Sequence, residues 1–173
     1  VIGHQYWRLI TPMLLHGRFL HLFMNLIAMR NLGSILEREL GSWRYLFTII
    51  TGVLFGSIFV FIRNENTIAI GISAGIYALL GILLVYLFEK DLLKNKMVLM
   101  NVMSTLMINL YISLMPNVSM TGHLGGLYAG VLLGFIFSKR KDWAQIRLYT
   151  KIFFAMSVVL LAYLMIQNAN ILF

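Results

Sequence analysis

One serine hydroxyl sits among glycines in the stretch Gly71-Ile72-Ser73-Ala74-Gly75-Ile76-Tyr77-Ala78-Leu79-Leu80-Gly81, at the mouth of a long apolar run. Serine is a poor nucleophile until a base takes its proton, and neutral imidazole titrates near the working pH. His123 heads a second apolar run, in which Gly122, Gly126, Gly130 and Gly134 recur every four residues. Ser73 and His123 therefore form a nucleophile and a general base if the fold joins them. Tyr77 follows Ser73 by four residues, on the same helix face, where it can stack on the His123 ring. His21 and Asn25 are also four apart and can donate hydrogen bonds to an oxyanion, together with the Ser73 backbone N–H. One such donor is worth about 3–4 kcal/mol of transition-state stabilisation. His16 is a supporting residue that orients the loop or a polar neighbour. Gly71 joins the support set through the close approach and strained turns that glycine permits.

Each of these residues has a plainer structural use. Ser73 can be incidental to a small-residue helix-packing motif, and His123 can be a packing histidine. His21 and Asn25 can bond between helices. His16, His21 and His123 lack a supporting carboxylate, so no metal site is expected. The carboxylates also limit the chemistry. Glu37, Glu39, Glu89, Asp91 and Asp142 belong to the opposite membrane side, and Glu65 falls in a loop, so a Ser–His dyad is expected rather than a triad. Gly71-Ile72-Ser73-Ala74-Gly75 formally fits the G-x-S-x-G elbow of α/β-hydrolases. That elbow needs a strand, a turn and a helix, and the context here is membrane helix.

The elements that must position these groups are apolar helices. The 173 residues are 60% hydrophobic and 12% charged, with mean hydropathy +0.85, and soluble domains carry about twice that charged fraction. An all-α polytopic membrane protein follows, with the lipid bilayer as its solvent. The net charge of +8 is topology information rather than a nucleic-acid surface. No cysteine is present, which excludes disulfides, thiol catalysis and zinc–thiolate sites. Val1 opens a polar-aromatic segment without an initiator Met, so a fragment of a longer protein is expected.

Six spans are expected: about Leu20 to Leu36, Tyr45 to Ile62, Ser73 to Phe88, Met97 to Met115, Gly122 to Phe137 and Ile152 to Ile166. The first carries His21, Asn25, Arg30 and Asn31 and should face protein rather than lipid. The second has Gly52 and Gly56 in small-xxx-small spacing. Glu37 should tie helix ends together. Ten basic residues fall on one side (Arg38, Arg44, Lys90, Lys94, Lys96, Lys139, Arg140, Lys141, Arg147 and Lys151) and three on the other (Arg8, Arg18 and Arg63). The first group marks the cytoplasm. The first, third and fifth spans then all begin outside, bringing His16, His21, Asn25, Ser73, Tyr77 and His123 to one depth.

These residues resemble the rhomboid family of intramembrane serine proteases, with motifs in order along most of the chain. Trp7-Arg8 resembles the family's Trp-Arg pair. His16-Gly17-Arg18-Phe19-Leu20-His21-Leu22-Phe23-Met24-Asn25 resembles its histidine–histidine–asparagine motif. Gly33 to Gly41, with Glu37 between, resembles a conserved helix end. Gly71 to Gly81 resembles the catalytic serine motif. Gly122-His123, followed by Gly126 and Gly130, resembles the catalytic histidine helix. One departure is Ala74, where the family commonly has glycine after the serine. A modest effect on oxyanion-hole geometry is expected from its methyl group.

The resemblance implies a single rhomboid-like membrane domain over 1–173. Residues 1–20 would be the end of the first outer loop and 21–138 the catalytic helices. Residues 149–167 would be an additional C-terminal helix, with the family's first helix lying before Val1. It implies Ser73 as nucleophile, His123 as base, His21 and Asn25 at the oxyanion, and Tyr77 supporting His123. It further implies cleavage of transmembrane protein substrates near the outer face, with no metal or cofactor. Short loops and the lack of cysteine are compatible with a bacterial inner membrane. The alternative is a catalytically inactive rhomboid-like factor that binds and routes membrane proteins. A transporter or channel that uses the same polar cluster is the third class.

Overall fold

The computed structural model of the chain describes residues 5–63, 70–116 and 118–171. His4 and Glu65 lie outside the described residues, as does most of the polar loop expected between Arg63 and Ile70. Two short 3-10 turns, Tyr6–Leu9 and Thr11–Leu14, precede six α-helices: α1 Phe19–Leu40, α2 Ser42–Ile62, α3 Ser73–Glu89, α4 Lys96–Ser113, α5 Met120–Phe137 and α6 Ala144–Ile171. Among the described residues there is no strand. The chain is an integral, multi-pass membrane protein built as a helical bundle.

Five of the helices are long and apolar enough to cross a membrane, whereas α3 is shorter. Its 17 residues span about 25 Å at the helical rise of roughly 1.5 Å per residue. A hydrocarbon core is about 30 Å thick. The short helix is also the central one, with ten of its residues buried, from Gly75 to Leu87. Protein rather than lipid surrounds α3, so its length is not set by the bilayer. A first residue recessed from the membrane surface follows if its far end lies at the opposite surface.

Backbone-to-backbone packing of α2, α3 and α5 makes the core. Lipid supplies no hydrophobic drive between helices, so close van der Waals contact must hold them, and small residues allow it. A Cβ on Gly81 of α3 would lie 2.7 Å from the Leu127 carbonyl oxygen, and one on Gly75 would lie 2.8 Å from the Ile49 side chain. A Cβ on Gly126 or Gly130 of α5 would overlap the carbonyls of Ala74 and Ala78, and one on Gly134 would meet Val85 at 2.8 Å. Gly52 and Gly56 of α2 face Ala78 and Ala74 in the same manner. Gly126, Gly130 and Gly134 of the α5 glycine stripe are therefore the surface on which α3 lies, while Gly122 faces Val60 of α2.

The first helix differs from expectation. Only Asn25, Gly33 and Leu36 of α1 are buried, while Phe19, Leu20, Phe23, Met24, Leu26 and Ile27 are exposed. The buried residues form one narrow helical stripe, so Asn25 turns inward with His21 half-buried beside it, while Arg30 and Asn31, expected to face protein, are exposed together with most of the apolar remainder. Gly41 joins α1 to α2 at φ 82°, and the Ser42 hydroxyl donates to Glu37 Oε1 at 2.7 Å, so Glu37 ties the two helix ends together. The last helix begins at Ala144, five residues before the expected boundary at 149. Its first two turns carry Arg147 and Lys151, and a helix can extend past the apolar part of its span.

At the basic end, Arg140 connects the α5–α6 link to the end of α3. Its Nε donates to both Asp142 carboxylate oxygens at 3.0 Å, and its guanidinium donates to the Glu89 carbonyl at 3.2 Å. The Lys139 N–H donates to Glu89 Oε1 at 3.0 Å. These bonds hold the lower ends of α3 and α5 in register.

Candidate active site

Ser73 is the first residue of α3, where the backbone N–H groups have no partner within the helix and the helix dipole favours negative charge. The turn that delivers it depends on Gly71, at φ 98°. The Gly71 N–H donates to the Pro12 carbonyl at 2.9 Å, which pins the serine loop to the second 3-10 turn. A Cβ on Gly71 would lie 2.7 Å from His21 Cε1 and 3.4 Å from Asn25 Nδ2. The missing side chain is the space that His21 and Asn25 occupy beside the serine turn.

His123 sits in the first turn of α5, whose start is capped by the Ser119 hydroxyl accepting from the Gly122 N–H at 3.1 Å. The imidazole is buried, at 6% exposure, and Ser73 is half-buried. His123 Nε2 and Ser73 Oγ are 3.0 Å apart across fifty residues of sequence. That is hydrogen-bond reach for a nucleophile and its base. Tyr77 stacks on the His123 ring, with centroids 4.0 Å apart and planes 12° from parallel.

On the other flank, Asn25 Nδ2 lies 3.0 Å from His16 Nε2. The amide nitrogen can only donate, so His16 Nε2 accepts in this contact. His16 and His21 meet edge to face at 5.2 Å between centroids. The structure therefore gathers His16, His21, Asn25, Gly71, Ser73, Tyr77 and His123 at one end of the bundle, as two groups that meet at the turn before Ser73.

One member of the cluster carries no role in the sequence reading. Ser113, the last residue of α4, places Oγ 2.8 Å from His123 Nδ1 and 2.6 Å from the Tyr77 hydroxyl. The Ser113 hydroxyl also donates to the Asn109 carbonyl at 2.8 Å. Asn109 and Ser113 are four apart at the end of an apolar helix, on the side of the bundle where Ser73 and His123 lie. That spacing marks the ordinary bond of a serine to the carbonyl four residues earlier, and it does not reveal the contacts with His123 and Tyr77.

The Rhomboid domain family model matches residues 3–140. The chain belongs to the rhomboid family. It is 32% identical over 144 residues to RHOMBOID-like protein 5 of Arabidopsis thaliana, covering 81% of this chain and 47% of that protein. To the putative rhomboid protease YdcA of Bacillus subtilis it is 31% identical over 146 residues, covering 82% and 72%. To the rhomboid protease GluP of the same bacterium it is 32% identical over 127 residues, covering 73% and 25%. The chain spans half or less of the length of the four plant rhomboid-like relatives numbered 5, 1, 6 and 4. The rhomboid match ends just before α6, and within it fall all the residues gathered around Ser73 and His123.

Proposed function

We propose that this rhomboid protein is an intramembrane serine endopeptidase working through a Ser73–His123 dyad. The observation that carries this reading is the 3.0 Å contact between His123 Nε2 and Ser73 Oγ at the free N-terminus of α3. Family membership and the relatives named as rhomboid proteases support it. A substrate transmembrane segment enters from the side of the bundle and unwinds locally. Ser73 Oγ attacks the peptide carbonyl carbon while His123 Nε2 takes the hydroxyl proton. The oxyanion is met by the Ser73 backbone N–H and by His21 and Asn25, with Gly71 leaving them room. His123 returns the proton to the leaving amine. Water then hydrolyses the acyl-enzyme by the reverse sequence, with His123 as the base again. Water is scarce in lipid, and the polar cluster around His16, His21 and Asn25 is the route proposed for it.

The ten basic residues at the opposite end support an orientation with Ser73 toward the outer face, so cleavage falls near the outer end of the substrate helix. Short loops and the lack of cysteine are compatible with a bacterial inner membrane.

The test uses full-length protein in detergent and in liposomes, with a fluorogenic transmembrane substrate and a fluorophosphonate probe for Ser73. Wild type is expected to cleave and to label, and Ser73→Ala and His123→Ala to do neither while remaining folded. A folded wild type that neither cleaves several substrates nor labels overturns the reading in favour of a binding factor. Solute flux that survives Ser73→Ala overturns it in favour of a transporter.

A further inference from the structure

We propose that Ser113 is a positioning residue that sets the tautomer and the orientation of His123, taking the place a buried carboxylate holds in a triad. The inference rests on the reading in which His123 takes the Ser73 proton, and it adds a third helix, α4, to the dyad.

The proton count around Ser113 carries the argument. Its Oγ has one hydrogen and two lone pairs. The hydrogen goes to the Asn109 carbonyl, 2.8 Å away. This is the ordinary bond of a serine or threonine to the carbonyl four residues earlier. Thr105 makes it to Asn101 at 2.8 Å, and Ser157 to Phe153 at 2.8 Å. Ser113 differs in what reaches its lone pairs. His123 Nδ1 is at 2.8 Å and the Tyr77 hydroxyl at 2.6 Å, and the latter also lies 2.7 Å from the Asn109 carbonyl. In the proposed arrangement the Ser113 hydrogen stays on Asn109, so Nδ1 carries the imidazole proton and donates it to Oγ; a Ser113 hydrogen turned to Nδ1 would give the opposite tautomer. Nε2 is then left with its lone pair facing the Ser73 hydroxyl, the one arrangement in which His123 can act as a base. In the other tautomer, Nε2–H would point at Ser73 and no base would exist.

Burial makes this choice binding. Ser113, His123 and Tyr77 are 5%, 6% and 9% exposed, so no bulk water can substitute for a lost partner. Ser113 is also the one buried residue among those of α4. Val98, Val102, Leu106, Asn109 and Ile112 are half-buried and the other residues of that helix are exposed, so its most deeply buried contact is the one with His123 and Tyr77. During the reaction the Ser73 proton moves to Nε2 only. The imidazolium keeps Nδ1–H bonded to Ser113 Oγ, and no proton passes to Ser113. A neutral hydroxyl orients the ring without supplying a compensating charge. Its effect should therefore fall well short of the roughly 10⁴-fold attached to the buried carboxylate of Ser-His-Asp triads.

The test compares full-length wild type, Ser113→Ala and Ser113→Thr in detergent and liposomes. Three quantities are read: kcat and KM on a fluorogenic transmembrane substrate, the rate of fluorophosphonate labelling, and imidazole ¹⁵N chemical shifts of histidine-labelled protein. The His123 signals are assigned by their loss in His123→Gln. Wild type is expected to show His123 protonated at Nδ1. Ser113→Ala is expected to show mixed tautomers and a kcat lowered by roughly tenfold, the factor one neutral hydrogen bond carries, with KM unchanged. Ser113→Thr keeps the hydroxyl and should restore both. A wild-type His123 protonated at Nε2 overturns the proposal. So does a Ser113→Ala protein with wild-type tautomer and kcat, or one that loses only its folded fraction. The ¹⁵N result does not depend on turnover. Failure of the wild type to cleave or label removes the proteolytic reading and leaves the Ser113 question still decided.

Discussion

The Ala74 methyl group is seated against Gly56. A Cβ built on Gly56 would lie 2.7 Å from the Ala74 Cβ and 2.7 Å from the Gly122 carbonyl oxygen. The Ala74 carbonyl, in turn, lies against Gly126. The residue after Ser73 is thus held between two helices, its side chain on α2 and its backbone on α5. The methyl group that departs from the usual family glycine is housed by α2, and the Gly56 hydrogen is what gives it room. The same contact that admits Ala74 also fixes the rotation of α3, and with it the direction of Ser73.

Gly56→Ala is therefore expected to lower stability by about 1–3 kcal/mol, the range for overpacking a close-packed site. Adding Ala74→Gly removes one of the two clashes and should recover part of the loss, while the Gly122 carbonyl retains the rest. Thermal unfolding in detergent of the two single variants and the double variant gives the coupling directly. Simple additivity of the two substitutions would mean that the two side-chain positions do not compete for one space.

A second expectation concerns Gly71. An alanine there must hold φ 98°, where L side chains rarely go, and its methyl would press on His21 at 2.7 Å. Left-handed backbone costs a non-glycine residue roughly 1–2 kcal/mol. Displacing the serine turn by about 1 Å can cost about 10²-fold in rate. Gly71→Ala should therefore lose far more activity than its change in melting temperature accounts for. Cleavage per folded molecule is the measurement, and wild-type turnover in a folded Gly71→Ala protein would show that the turn tolerates a side chain.

Much of this site is legible in residue types and spacing because its chemistry needs rare groups. Ser73 and His123 stand out against apolar runs, and Tyr77 and Asn25 stand at four-residue spacing from Ser73 and His21. Gly126, Gly130 and Gly134 of α5 mark α3's resting surface for the same reason: only glycine tolerates so close a contact at every turn. Ser113 is not legible in that way. A hydroxyl near a helix end most often bonds its own backbone, and nothing in its spacing says that two other helices aim at its lone pairs. The orientation of α1 was also hidden, since its polar residues say that one stripe is inward but not how narrow that stripe is. The early start of α6 has a related cause, because hydropathy marks where lipid begins and not where a helix begins.

At the basic end, Asp91 carries a titration that can be checked by itself. The Lys94 ammonium is 2.9 Å from its carboxylate, and the bond and charge of Lys94 hold this carboxyl below its ordinary value, with Arg140 adding to the effect. A lowered carboxyl favours the folded form above its unfolded pKa, and that contribution disappears as pH falls through the folded value. Lys94→Ala should move the Asp91 titration up toward the ordinary range in a carboxyl ¹³C NMR experiment, with activity unchanged. An Asp91 midpoint that ignores the substitution would show that solvent screens the pair completely.

Tyr77 separates stacking from hydrogen bonding. Its ring lies flat on His123 at 4.0 Å, and its hydroxyl reaches the Asn109 carbonyl and Ser113 Oγ at 2.7 and 2.6 Å. Tyr77→Phe keeps the ring and strands no partner, because Ser113 still bonds His123 and Asn109. The expected loss is one hydrogen bond, about 0.5–1.5 kcal/mol, and turnover within roughly tenfold of wild type. Tyr77→Ala removes the surface against which the imidazole is held and opens a cavity in the most buried helix. Large-to-small aromatic changes of this kind cost about 3–5 kcal/mol. With His123 free to turn away from Ser73, turnover should fall by about 10²-fold or more even in the fraction that stays folded. Kinetics normalised to folded protein would test the order wild type, Phe, Ala. If Tyr77→Phe were as slow as Tyr77→Ala, the hydroxyl and not the ring would be what holds His123, and the burden would pass to Ser113 and α4.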